Sequence, residues 1–250
     1  MIEQQKNAAL TVSLMDLTSL NNADDSATIQ ALVNSIKPKL GTPAALCVYS
    51  QFVAEAKIAL AARGLAQVKV ATVTNFPSGD APLDEVVSET LLAIERGADE
   101  IDLVIPYKAL LAGDANTVRN YIRESKRACG SQAQLKVIIE SGELKTAALI
   151  TEATMLAIEN GADFVKTSTG KVAVNATLEA AQYMLKAIKN SRKLVGFKAA
   201  GGVKTVKDAA AYLQLAGNIM GADYVTANHF RFGASGLLTD VYKVLNETPQ

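Results

Sequence analysis

The 250 residues predict an α/β fold in which eight parallel strands and their helices close into a (β/α)8 barrel. Three observations carry this. Short apolar runs rich in β-formers alternate with stretches whose apolar residues recur every three or four positions. Three segments, RGADEIDLVIP (96–106), NGADFVKTSTG (160–170) and MGADYVTANHF (220–230), are versions of one another. Their glycines, Gly97, Gly161 and Gly221, stand 64 and 60 residues apart. That is about twice a minimal strand–crossover–helix unit, so each gap should hold one further strand.

Taken in order, SLMDLTSL (13–20) supplies the first strand around LMDLT, ALCVYS (45–50) the second and VKVATVTNF (68–76) the third. The helical ETLLAIERG ends at Gly97, which enters the left-handed region without a Cβ clash, and GADEIDLVIP then forms the fourth strand. LKVIIE (135–140) fills the first gap as the fifth. ATMLAIENG leads into the sixth, NGADFVKTSTG; LVGFKA (194–199) is the seventh and MGADYVTANHF the eighth. FVAEAKIALAARG, NTVRNYIRESKRACG and LEAAQYMLKAIKN provide crossover helices, and such crossovers are right-handed. A flavodoxin-like open sheet would leave several strands unexplained, and a Rossmann reading lacks its GxGxxG turn. With no linker rich in Pro, Gly or Ser, residues 1–250 read as one domain with a short N-terminal helical extension and a C-terminal tail.

Composition narrows the function. The 25 basic and 25 acidic residues cancel, so the chain as a whole attracts neither nucleic acid nor an anionic membrane. Two cysteines, Cys47 and Cys129, make no disulfide framework and fit a reducing compartment. The N-terminal residues lack a basic start followed by a long apolar run, and no stretch approaches a membrane span, so a cytoplasmic location is expected. The one histidine, His229, argues against a zinc or iron centre, no spaced acidic cluster argues for magnesium, and His229 reads as a turn or rim residue.

The chemistry starts with FVKTSTGK (164–171), a strand with a lysine in it. Its Gly170-Lys171 is no phosphate loop of the Walker type, because position 165 is valine where glycine is required. Asp102, Lys166 and Thr226 each lie five residues after their unit's glycine, which predicts matching interior positions on alternate strands. Lys198 in LVGFKAAGG shares parity with Gly196, which should leave lateral room beside it, and so faces the same cavity. Two inward lysines and an aspartate are costly as structure alone. They suit an amine that attacks a carbonyl: burial and a neighbouring ammonium both favour the neutral form. On these grounds either lysine can be the nucleophile, with Asp102 relaying protons.

Gly201-Gly202 after strand seven and FGASGLL (232–238) after strand eight stand where barrels of this kind bind phosphate, with Ser235 as a further donor. Asp16 and Thr18 in LMDLT line the cavity or cap the adjoining turn. Thr167 and Ser168 orient Lys166 or satisfy the strand end. Cys47 reads as a small buried hydrophobe, and Cys129 as helix surface. Glu140 and Glu143 favour a helix start.

LMDLT, ATVTNFPSG, GADEIDLVIP, LKVIIESGEL, DFVKTSTGK, GFKAAGG and FGASGLL together resemble the deoxyribose-phosphate aldolase family over roughly residues 14–238. The resemblance implies a class I aldolase on a TIM barrel. It implies reversible cleavage of 2-deoxy-D-ribose 5-phosphate to D-glyceraldehyde 3-phosphate and acetaldehyde, in deoxyribonucleoside catabolism. It assigns the Schiff base to Lys166, the pKa-lowering role to Lys198 and proton transfer to Asp102. It places Gly170, Gly201, Gly202, Val203 and Ser235 at the phosphate, and Asp16, Thr18 and Cys47 near the sugar or its channel. It further implies no cofactor and a homodimer. The chain departs from the family at Ala199, where many relatives have proline, at Gly236, where serine is common, and in lacking a C-terminal tyrosine. A transaldolase-like lyase, a metal-dependent epimerase or class II aldolase, and a non-catalytic sugar-phosphate-binding barrel are the competing readings.

Overall fold

The computed structural model describes residues 3–246. Eight parallel strands pair in sequence order, and the last returns to the first. They are β1 (Met15–Thr18), β2 (Ala45–Cys47), β3 (Lys69–Thr74), β4 (Glu100–Val104), β5 (Gln134–Ile138), β6 (Phe164–Lys166), β7 (Gly196–Ala200) and β8 (Phe230–Ala234). The fold is a (β/α)8 TIM barrel. A helix, Glu3–Ser13, precedes β1. The expected C-terminal tail reaches into 247–250 and there lies outside the described residues.

Helix starts are written locally. Asp114, Thr146, Thr177 and Thr205 each accept a backbone N–H from the first turn, and Thr205 forms a reciprocal capping box with Asp208. Along each strand, one parity points outward to the helices. Phe197, Phe230 and Phe232 pack there as a buried aromatic row, joined by Tyr212. Each such ring is worth roughly 1.5–3 kcal/mol when buried.

The repeated units behave alike only twice. In the first two, the aspartate of the Gly-Ala-Asp turn fastens the barrel floor. Asp99 accepts the N–H of Val70 and pairs with Lys57; Asp163 accepts the N–H of Leu135 and pairs with Lys126. Their carbonyls receive the N–H groups of Gln134 and Gly196. In the third unit, Ala222–Tyr224 instead forms a 3-10 turn. Tyr224 is buried, donates its hydroxyl to the Val195 carbonyl at 2.8 Å and stacks on His229. The carbonyl that receives Phe197 N–H is therefore that of His229, and β8 begins at Phe230. Thr226, expected inside the barrel beside Asp102 and Lys166, is exposed. Arg231 takes an interior place and pairs with Lys198 across the β7–β8 ladder.

Two further expectations are corrected. Gly196 leaves no open room: a Cβ there would lie 2.3 Å from the Phe164 ring, so the glycine makes space for that ring. Cys129 is buried at the end of its helix, and burial pushes its thiol up to about 12.

The interior is divided. Cys47, Ala71 and Val73, from β2 and β3, form an apolar wall with Leu20. The other strands bring in charge.

Candidate active site

Alternation within very short strands puts Asp16, Glu100, Asp102, Lys136, Lys166, Lys198 and Arg231 inside the barrel, none more than 4% exposed. Seven ionisable side chains away from water are costly unless each is paired, and each is. Asp102 Oδ2 accepts from Lys166 Nζ at 2.8 Å and from Lys198 Nζ at 2.7 Å; its Oδ1 accepts from Lys136 Nζ at 3.0 Å. Asp16 accepts from Lys198 through Oδ2 and from Arg231 through Oδ1, the latter at 2.6 Å. Glu100 accepts from Lys136 through Oε2 and from Arg231 at 2.9 Å through Oε1.

These partners separate the two lysines that the residues alone left equivalent. Burial pulls Lys166 below the usual lysine range, Asp102 pulls it back up and Lys198 adds to the depression; the net direction is down. Burial also opposes the charge on Lys198, but Asp102 and Asp16 outweigh it, and Lys198 is held above the usual range as an ammonium. For Asp102, burial opposes ionisation, yet Lys136, Lys166 and Lys198 keep it well below the carboxylate range. Lys166 is the one residue of these seven that lines the cavity above.

That cavity, about 570 Å³, opens at the C-terminal ends of the strands. Thr18, Lys166, Gly170, Gly201, Gly202, Val203 and Ser235 are among the residues that line it. Gly201 and Gly202 have φ of +80° and +91°, a conformation in which an L side chain is strained. Their N–H groups can thus approach an anion without an intervening Cβ. Ser235 and Gly236 precede the helix Leu237–Asn246, whose N-terminal dipole favours negative charge at the same place.

The structure brings Asp102, Lys166 and Lys198 into contact and gathers the five glycine-loop residues around one opening. Asp16 and Cys47 are fully buried beneath that opening, while Thr18 is on its wall. Burial pushes the Cys47 thiol up, away from the thiolate. Thr167 exchanges hydrogen bonds with the backbone of Ala200, tying the ends of β6 and β7. Glu140, at φ +53°, is buried and accepts the N–H of Thr169.

Sequence reasoning missed Glu100, Lys136 and Arg231. All three sit inside apolar alternation: Glu100 two before Asp102, Lys136 within LKVII, Arg231 between Phe230 and Phe232. It also missed Lys171 and Lys204, which line the cavity beside the glycines. Among the described residues, no group of three or more His, Cys, Asp or Glu is arranged to hold a metal ion.

The family model for DeoC/LacD family aldolases matches residues 10–235. The chain belongs to this family. A deoxyribose-phosphate aldolase from Agrobacterium fabrum is 52% identical over 238 residues, which is 95% of this chain and 91% of that protein. A solved structure from Coccidioides immitis is 30% identical with a TM-score of 0.81, covering 94% of this chain and 86% of that one. An apo structure from Toxoplasma gondii has a TM-score of 0.91 over all of both chains at 24% identity, a likeness of fold. As an aldolase of this family, the protein makes and breaks a carbon–carbon bond next to a carbonyl, which requires an electron sink. An amine depressed by burial, at the mouth of a closed barrel, can supply one as an iminium.

Proposed function

We propose that the protein reversibly cleaves 2-deoxy-D-ribose 5-phosphate to D-glyceraldehyde 3-phosphate and acetaldehyde, with Lys166 as the Schiff-base lysine. The observation that carries this reading is the position of Lys166. It is buried, depressed below the usual lysine range, bonded to Asp102, and on the wall of a cavity that Gly170, Gly201 and Gly202 also line.

The sugar phosphate enters with its phosphate on the N–H groups of the Gly170, Gly201–Val203 and Ser235 segments, so its aldehyde faces Lys166. The neutral amine adds to the carbonyl, giving a carbinolamine. Asp102 moves the proton that lets water leave, and an iminium forms. The products have two and three carbons, so the bond that breaks joins C2 to C3, and the C3 hydroxyl loses its proton. The electron pair enters the iminium and leaves an enamine. Protonation of that enamine and hydrolysis release acetaldehyde and restore Lys166. Lys198, held as an ammonium between Asp16 and Asp102, keeps positive charge beside the amine and favours its neutral form.

The 250 residues act in this reading as one domain, with small molecules as partners and neither nucleic acid nor membrane; among the described residues no helix is long and apolar enough to cross one. A cytoplasmic location and assembly as a homodimer belong to the same proposal, and light scattering tests the latter. The central test is borohydride reduction during turnover of deoxyribose 5-phosphate, followed by peptide mass analysis. A reduced adduct on Lys166 is expected; turnover with no adduct there overturns the assignment.

A further inference from the structure

The charged contacts inside the barrel close on themselves. Asp16 binds Arg231, Arg231 binds Glu100, Glu100 binds Lys136, Lys136 binds Asp102, Asp102 binds Lys198, and Lys198 returns to Asp16. Around this cycle each carboxylate bridges two cations and each cation two carboxylates, and Lys136 Nζ also stands 3.6 Å from Asp16 across it. Three negative charges meet three positive ones. Lys166 is attached to this ring through Asp102 and is not a member of it.

We propose that Lys136 is a positioning residue for the aldol reaction: with Lys198 and Arg231 it neutralises Asp16, Glu100 and Asp102, so that the Lys166 amine is the group left without a proton. This rests on Lys166 being the nucleophile. A charge deep in the barrel cannot be offset by solvent, so the ring's net charge acts on the next titratable group. While the ring is complete, a proton on Lys166 is a surplus positive charge. Remove one cation and that proton becomes the compensating charge instead.

The surroundings admit few other compensators. β1 contributes Asp16, β2 the thiol of Cys47, β3 apolar Ala71 and Val73 with the exposed Lys69 at its start near Glu100, β4 Glu100 and Asp102, β5 Lys136, β6 Lys166, β7 Lys198 and β8 Arg231; Lys171 and Lys204 line the cavity beside Lys166. Beyond the strands, Glu140 stands after β5, its carboxylate turned to the N–H of Thr169. Lys136 is fully buried and lines no cavity of the substrate mouth, so its effect on chemistry passes through the ring.

The test follows the pH midpoint at which Lys166 is trapped by acetaldehyde and cyanoborohydride, read as the modified peptide, alongside the acid limb of kcat/KM. Lys136→Met should move both midpoints alkaline by about 1–3 pH units, the usual effect of a nearby charge. Glu100→Gln, which removes a negative charge, should move them the other way. The double variant Lys136→Met/Glu100→Gln restores equal charge and should return the midpoint toward wild type, and Lys136→Arg should leave it in place. Shifts in one common direction, or no return in the double variant, would overturn the proposal and leave Lys136 a packing residue. If Lys136→Met does not fold, Glu100→Gln decides alone: an unmoved midpoint sinks the idea. A wild-type protein that turns over without trapping at Lys166 would instead defeat the underlying assignment of the nucleophile.

Discussion

Asp102 turns a single oxygen, Oδ2, to Lys166, and the same oxygen accepts from Lys198. One carboxylate oxygen thus sits between the amine that the proposed reaction needs neutral and the ammonium that it needs charged. A proton at that oxygen stays within hydrogen-bond reach of Lys166 Nζ.

Asp102→Asn keeps the shape but removes both the charge and the proton acceptor. Turnover should fall about 10²–10⁴-fold. Three buried lysines lose a shared counter-charge, so urea unfolding should show a loss of about 3–5 kcal/mol. Stability equal to wild type would mean that these ammonium groups have other compensation.

Lys198→Leu removes the positive neighbour of Lys166 and unbalances Asp16 and Asp102. The acid limb of kcat/KM should move alkaline by roughly one pH unit or more. An unmoved limb in a folded variant would reject an electrostatic role for Lys198.

Acid should weaken the fold through two particular groups. Burial opposes ionisation of Asp16 and Asp102, but Lys198 and Arg231 around the first, and Lys136, Lys166 and Lys198 around the second, depress both. A depressed carboxylate contributes stability that is complete above its unfolded value, about 3.9, and is lost as pH falls below it toward the folded value. Melting temperature should therefore fall steeply below about pH 4, and more gently in Asp16→Asn. A wild-type curve flat through that range would contradict the depression.

Gly236→Ser enters open space, since nothing lies within 4 Å of a Cβ built there. The new hydroxyl stands beside the helix N-terminus at the cradle, and KM for the sugar phosphate should drop about two- to tenfold. Thermal stability should stay within a degree or so of wild type. A raised KM would show that the added group obstructs the anion.

Gly196→Ala drives a methyl to 2.3 Å from the Phe164 ring, itself under the guanidinium of Arg231. Overpacking of this kind costs about 1–3 kcal/mol. Denaturant midpoints should fall, and an unchanged midpoint would mean the ring has room to retreat.

Much of this was legible in the residues, for a physical reason. Strands this short leave parity as the main variable, and parity alone puts Asp102, Lys166 and Lys198 on one side of their strands. The same alternation holds for Glu100, Lys136 and Arg231, but a side chain's partners depend on barrel register, which neighbouring residues do not encode. Lys136 meets Asp102 because their backbones pair across β4–β5. The third repeated unit misled because Tyr224, Val225 and Thr226 are good β-formers. Tertiary contacts override that preference: the Tyr224 hydroxyl reaches the Val195 carbonyl and holds a turn where two earlier units hold strands. The loops that line the cavity were readable since glycine pairs and a following helix are local features.

The link between Asp16 and Arg231 spans 215 positions of the polypeptide. It is made where the first staves of the cylinder meet the last, so nothing short of a fully joined wall can complete the electrostatic circuit. A partly folded chain, or either half produced separately, would hold its lysines charged and chemically silent. On the proposed reading, reactivity at Lys166 is a property of the finished enclosure, and the aldehyde would meet a nucleophile only in molecules that have finished folding.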